Sequence, residues 1–274
     1  ICLEFFLNNK KYAVISNSEE IEEGDEIYFS GCGWDNGCGS CDIYCVKHKD
    51  GKFSRPINIR SINTSEWESQ PCLSYDGQEL YFVRRNKKKG GSDIYVSKRD
   101  NDGNWQKAVC LNSSINTSGN EMAPFIHYDG KTLYFSSDKH LGMGGYDLFV
   151  SRRDLNGEWT EPINLGYPLN SSDDEMNVVV SNDAVRAFVS AKKSGGFGGY
   201  DIYEFELEDA FRPDAIEIDK VSEEDYYIVA LGKMEDVTLR NIYFEFDSAE
   251  LTAESEDGIN EIYDFLVKFH DVKI

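Results

Sequence analysis

Histidine, methionine and proline are scarce in this chain, with 4, 4 and 6 residues among 274. The four histidines, His48, His127, His140 and His270, do not cluster, and no Gly-x-Ser-x-Gly turn is present to expose a serine nucleophile. No apolar run approaches 18 residues, so the sequence holds no membrane-spanning helix. Basic residues are outnumbered 28 to 50 by acidic ones, a formal net charge of −22. A surface of that sign repels phosphate backbones, which argues against nucleic acid as a partner. The chain opens Ile1-Cys2-Leu3-Glu4-Phe5, without Met or leader, and is read as a fragment of a longer protein.

What the chain does have is 40% hydrophobic residues, with 16 Tyr, 16 Phe and 23 Gly. That is a globular composition, and aromatics set among glycines favour strands and turns over helices. A repeat decides the architecture. Asp42-Ile43-Tyr44, Asp93-Ile94-Tyr95, Asp147-Leu148-Phe149 and Asp201-Ile202-Tyr203 recur at spacings of 51, 54 and 54 residues, each after a Gly-rich loop. In register with them come Trp105 and Trp159, then Pro56-Ile57-Asn58, Val109-Cys110 and Pro162-Ile163-Asn164. Polar loops follow (Ile62-Asn63-Thr64, Ile115-Asn116-Thr117, Leu169-Asn170-Ser171), closing on Glu68, Glu121 and Glu175.

Each period holds four short strand candidates separated by turns of the Asp-Gly or Asn-Gly kind. Leu80-Tyr81-Phe82 and Leu133-Tyr134-Phe135 are apolar on successive positions, so both faces of those strands must be covered. A small sheet sandwiched between two like sheets meets that requirement. The expected fold is mainly β: a β-propeller of about four antiparallel four-stranded blades over residues 1–207. The last period ends without its outer strand, and residues 1–7 are expected beside residues 201–207 to supply it. Asp42, Asp93, Asp147 and Asp201, present in every period, are read as blade-building rather than catalytic residues.

Tyr75-Asp76-Gly77 leading to Leu80-Tyr81-Phe82, and Tyr128-Asp129-Gly130 leading to Leu133-Tyr134-Phe135, resemble the TolB-type, WD-like propeller repeat of bacterial envelope proteins. The last period departs from that pattern, with Asn182-Asp183-Ala184 in place of Tyr-Asp-Gly. Residues 208–238 read as a linker. In residues 239–274, Phe244-Glu245-Phe246-Asp247-Ser248-Ala249-Glu250-Leu251 precedes an apolar-striped helix (Ile259, Ile262, Phe265, Leu266, Phe269) and a second strand. This looks like the truncated strand-helix-strand start of an α/β OmpA-like peptidoglycan-binding domain. In that family the residues that grip peptidoglycan lie farther along, beyond Ile274 here.

The two resemblances together are similar to lipid-anchored envelope proteins, including accessory components of a gliding-associated (type IX) secretion system. They imply a periplasmic, outer-membrane-associated protein that is not an enzyme and uses no cofactor. Its propeller would bind envelope protein partners, and its complete C-terminal domain would tether them to peptidoglycan. The alternative is a propeller-carried hydrolase whose catalytic part lies outside these residues. Four of the seven cysteines, Cys32, Cys38, Cys41 and Cys45, fall within fourteen residues. A disulfide inside that loop, plain core thiols, a zinc or iron–sulfur site and a redox Cys-x-x-Cys are all open readings. At least one disulfide and no bound metal are expected. Cys72 and Cys110 read as core.

Overall fold

The computed structural model describes residues 2–7 and 10–15 as strands only, and 26–49, 52–85, 90–193, 196–197 and 199–215 in full. The chain divides into two compact units, 1–218 and 219–274. The OmpA-like reading of residues 239–274 lies outside the described residues.

Four successive antiparallel groups of strands make up the described part. The first contains β1 (Cys2–Leu7), β2 (Lys10–Ile15), β3 (Glu26–Cys32), β4 (Cys41–Lys49), β5 (Lys52–Phe53) and β6 (Ile57–Asn58). The second is β7 (Trp67–Leu73), β8 (Glu79–Arg85), β9 (Ser92–Lys98) and β10 (Val109–Cys110). The third is β11 (Glu121–Ile126), β12 (Thr132–Ser137), β13 (Asp147–Arg152) and β14 (Ile163–Asn164). Among the described residues the fourth has only β15 (Glu175–Val180), β16 (Arg186–Ala191) and β17 (Asp201–Glu206). Order within each group follows the sequence, with a short outer strand on the one that follows the Gly-rich loop: β6 on β4, β10 on β9, β14 on β13. The result is a mainly-β, several-sheet fold of the propeller kind.

The apolar runs do what their pattern requires. Leu80, Tyr81, Phe82 and Val83 on β8 are all fully buried, as are Leu133, Tyr134 and Phe135 on β12. Their alternate side chains enter two different cores, because each core lies in the seam between neighbouring groups. Tyr28, Ile43 and Ile62 of the first group meet Leu80, Phe82 and Trp105 of the second. Tyr81, Val83 and Ile94 meet Ile126, Leu133, Phe135 and Trp159 of the third. Tyr134, Leu148 and Val150 meet Val178, Val180, Ala187 and Val189 of the fourth. The hairpin turns carry Gly77 and Gly130 at φ of 69° and 66°. At the same place the atypical fourth repeat forces Ala184 to φ 63°, at a cost of about 1 kcal/mol.

One sequence expectation is corrected here. Residues 1–7 do not lie beside β17: β1 pairs with β2, from Cys2↔Ile15 to Leu7↔Lys10. Only two residues of sequence separate β1 from β2, and closing so short a loop costs far less entropy than pairing the two ends of a long chain. The first residues after Leu207 are held against the described part. A 3-10 turn at Asp209–Phe211 packs them on the third group. Tyr134 Oη donates to the Phe211 carbonyl at 2.6 Å, and the Arg152 guanidinium donates to the carbonyls of Ala210 and Arg212.

Candidate functional site

The clustered cysteines separate into different environments. Cys32, ending β3, and Cys41, opening β4, are cross-strand partners and form a disulfide. Cys38 lies in the loop between them, its Sγ 3.8 Å from Asn58 Oδ1. Burial and the Asp42 carboxylate push its thiol pKa up. Cys45 points into the first seam, where burial and the nearby Glu26 raise its thiol to about 11. Neither is poised as a thiolate at neutral pH. Among the described residues no three His, Cys, Asp or Glu side chains are placed to hold a metal ion. Cys72 is buried as expected, but Cys110 is exposed, because β10 is an outer strand with one face to solvent. Reducing the Cys32–Cys41 bond, or replacing both residues by serine, should lower unfolding free energy by about 2–3 kcal/mol, the entropy released by opening so short a loop. Urea titration with and without reductant checks this, and identical midpoints would refute it.

The recurring acids are structural. Asp42 accepts the Cys38 N–H, Asp147 accepts those of Met143 and Gly144, and Asp201 accepts that of Phe197. Each aspartate thus fixes the loop just before its own strand. Glu68, Glu121 and Glu175 are fully buried and accept both the N–H and the hydroxyl of Thr64, Thr117 and Ser171. Burial pushes the Glu121 and Glu175 carboxyls above their usual range. His127 is buried, its Nδ1 accepting the Asp129 N–H and its Nε2 3.1 Å from the Ser181 carbonyl. His140 reaches the Ile115 carbonyl instead. These two histidines are therefore held by separate loops, and His270 lies outside the described residues.

The most elaborate polar constellation was not anticipated from sequence. Across the first seam, Glu26 receives Tyr28 Oη at 2.6 Å, Lys47 Nζ at 2.5 Å and the Arg99 guanidinium. Arg99 also donates to Tyr28 Oη and lies over the Trp105 ring, whose Nε1–H donates to the same Tyr28 oxygen. The second seam repeats it with Glu79, Tyr81, Lys98, Arg153 and Trp159. In the third seam Thr132 stands in place of the glutamate, and Tyr134 bonds the tail at Phe211 instead. The available signal was Glu-x-Tyr on one strand with Arg-x₅-Trp beginning 73 or 74 residues after the glutamate. Burial alone would raise the glutamates, but Lys47 and Tyr28 on Glu26, and Lys98 and Tyr81 on Glu79, offset it with the arginines' help. Both carboxyls sit below their usual range and are poor proton donors.

The two seams differ in one respect. The turn after Ile59 has only Arg60 and Ser61 before Ile62, whereas Asn112, Ser113 and Ser114 fill the corresponding turn after Leu111. Asn112 donates to the Trp159 carbonyl and Ser114 to Glu161, closing the second seam from outside. The shorter turn leaves a cleft of about 400 Å³ on the first, lined by Glu26, Lys47, Asn58, Arg60, Arg99 and Trp105. It offers hydrogen-bond donors and an ion-paired carboxylate, without a nucleophile-and-base pair.

The sheets and their seams define a protein of the β-propeller class. No known family matches the sequence, and no curated protein does. Among solved structures the chain is similar to a glycoside hydrolase, with 8% identity and a TM-score of 0.51 over 77% of this chain and 75% of that one. It is also similar to an endo-arabinase from Bacteroides thetaiotaomicron, at 20% identity and a TM-score of 0.49 over 72% and 74% of the two chains. TolB from Acinetobacter baumannii matches at 17% identity and a TM-score of 0.45 over 66% of this chain, which spans 38% of that protein. At these identities the likeness speaks to the fold alone, a β-propeller-like one. The expectation of a non-catalytic scaffold that is not an enzyme is corrected by this finding: a solved glycoside hydrolase shares the fold, so the propeller does not mark the chain as a pure binding protein. That expectation rested on the resemblance to envelope proteins and not on the fold.

Proposed function

We propose that this chain is the propeller of a hydrolase whose bond-cleaving groups lie outside the described residues, its four strand groups being blades of that propeller. The observation that carries the reading is the shared fold with a glycoside hydrolase over three quarters of both chains. The side chains support the division of labour. The recurring Asp and Glu carboxylates described above are engaged in loop-fixing or seam-closing hydrogen bonds. A polar substrate would meet this part of the molecule at the first-seam cleft, against Asn58, Arg60 and Lys47. Envelope location, and peptidoglycan contact through a complete C-terminal domain, belong to the same reading and rest on the sequence of residues 239–274.

The test compares this chain with its full-length parent on fluorogenic aryl glycosides, arabinan oligosaccharides and peptide amides. Turnover of one class by the parent, with none by the isolated chain, is the expected result. A purified, folded parent that hydrolyses none of them would end the proposal.

A further inference from the structure

In the first three groups the strand after the Gly-rich loop, β4, β9 or β13, carries the same two-part cover on its outer edge. The short outer strand pairs first, Asn58 with Tyr44, Cys110 with Tyr95 and Asn164 with Phe149. The next residue then donates its N–H across: Ile59 to the Ile43 carbonyl, Leu111 to that of Ile94 and Leu165 to that of Leu148. A few residues on, an asparagine side chain finishes the edge. Asn63 accepts the Ile43 N–H at 2.9 Å and donates to its carbonyl at 2.8 Å. Asn116 does the same for Ile94 at 2.7 and 2.9 Å, and Asn170 for Leu148 at 2.8 and 2.9 Å. Beneath these covers Ile43, Ile94 and Leu148 are 0% exposed.

In β17 the corresponding residues are Ile202, Tyr203 and Glu204. Among the described residues neither an outer strand nor an asparagine lies on that edge, and β17 pairs with β16 alone. Ile202 is 79% exposed. The described residues that follow lead away from that edge, because the turn at Asp209–Phe211 carries them onto the third group. An edge with an aliphatic side chain and outward N–H and C=O groups is a template for strand addition.

We propose that the outer edge of β17 is an acceptor site for an extended strand from a partner protein. The three covered edges specify the partner's chemistry: a branched aliphatic residue, a small polar one, a buried Ile or Leu, and three or four residues later Ile or Leu followed by Asn and Ser or Thr. Charge selects among such strands. Among the described residues Glu204, Glu206 and Asp209 share only two arginines, Arg186 and Arg212, Glu208 lies between them, and the chain as a whole carries a formal net charge of −22. Two copies of this chain edge to edge would set these acids against each other, so the partner is a different protein with basic residues flanking its strand. The inference does not depend on the hydrolytic reading.

The probe is a labelled synthetic peptide with the sequence of residues 159–171, which forms this cover in the third group, extended by two lysines. It is titrated into the full chain by fluorescence anisotropy, with hydrogen exchange read over residues 201–206. Saturable binding with protection of β17 is the expected result. Affinity should fall about tenfold or more for a peptide carrying Asn170→Ala, which loses the bonds that close the edge. The protein variant Ile202→Pro removes an outward N–H on an edge strand, where proline is tolerated, and should weaken binding similarly. Should that variant misfold, the exchange pattern and the altered peptide still decide. Absence of saturable binding, protection confined to β13, or a dimer of the free chain abolished by Ile202→Pro would each overturn the proposal.

Discussion

Replacing Asn170 by alanine is expected to cost about 3 kcal/mol of stability, seen as a lower urea midpoint with an unchanged slope. The side chain is fully buried and closes both the N–H and the carbonyl of Leu148, while also donating to Asn164 Oδ1. Alanine leaves the buried Leu148 N–H without its partner and the Leu148 carbonyl with the Leu165 N–H alone. A Asn170→Asp variant separates hydrogen bonding from shape: the acid can accept the Leu148 N–H but cannot donate back, so its loss should be at least as large at neutral pH. A cost below about 1 kcal/mol for alanine would show that the asparagines are incidental to the edge.

The second large effect is expected at Arg153. Its guanidinium lies 2.5 Å from Glu79 Oε2, donates to Tyr81 Oη and covers the Trp159 ring. Arg153→Ala leaves a mostly buried carboxylate with Lys98 as its remaining cation, at a cost of about 2–3 kcal/mol. The pH dependence identifies the cause. Glu79 titrates below its ordinary range in the folded chain, so the stability it contributes is complete above about pH 4.5, the ordinary value. That stability is lost as pH falls through the lower, folded value. The gap between the natural chain and Arg153→Ala should therefore narrow on going from pH 7 towards pH 3. A gap of constant size would assign the loss to packing against Trp159 instead.

The strands were legible because their signals are local. Leu80-Tyr81-Phe82 can be buried on both faces only in a stack of sheets, and the Asp-Gly turns fix where those strands reverse. The loop aspartates were legible for a related reason: one per period implies a role in building the period. The Glu26 and Glu79 clasps were not, since each joins residues more than seventy positions apart through a side-by-side packing that no single period displays. The exposure of Cys110 was missed because a two-residue outer strand has the composition of a core strand but covers only one face. The pairing of β1 failed on an energetic comparison, a short-range hairpin against a ring closure, that residue pattern does not reveal. What the propeller's repeat could not carry at all was catalysis, because like sheets serve hydrolases and binding proteins alike.

The placement of the cores in the seams has a consequence for how such a chain changes over time. Since Tyr81 belongs to one seam and Phe82 to the preceding one, no strand group owns its interior, and excising part of a period strips two neighbours at once. Removing or inserting one whole period of about 54 residues is a milder event, because the surfaces brought together are again a Glu-x-Tyr strand and an Arg-x₅-Trp turn. Length variation in proteins built this way should accordingly come in complete periods, with point changes concentrated in outward turns such as Arg60-Ser61, where a single missing residue opens a cleft and leaves the seam beneath it standing.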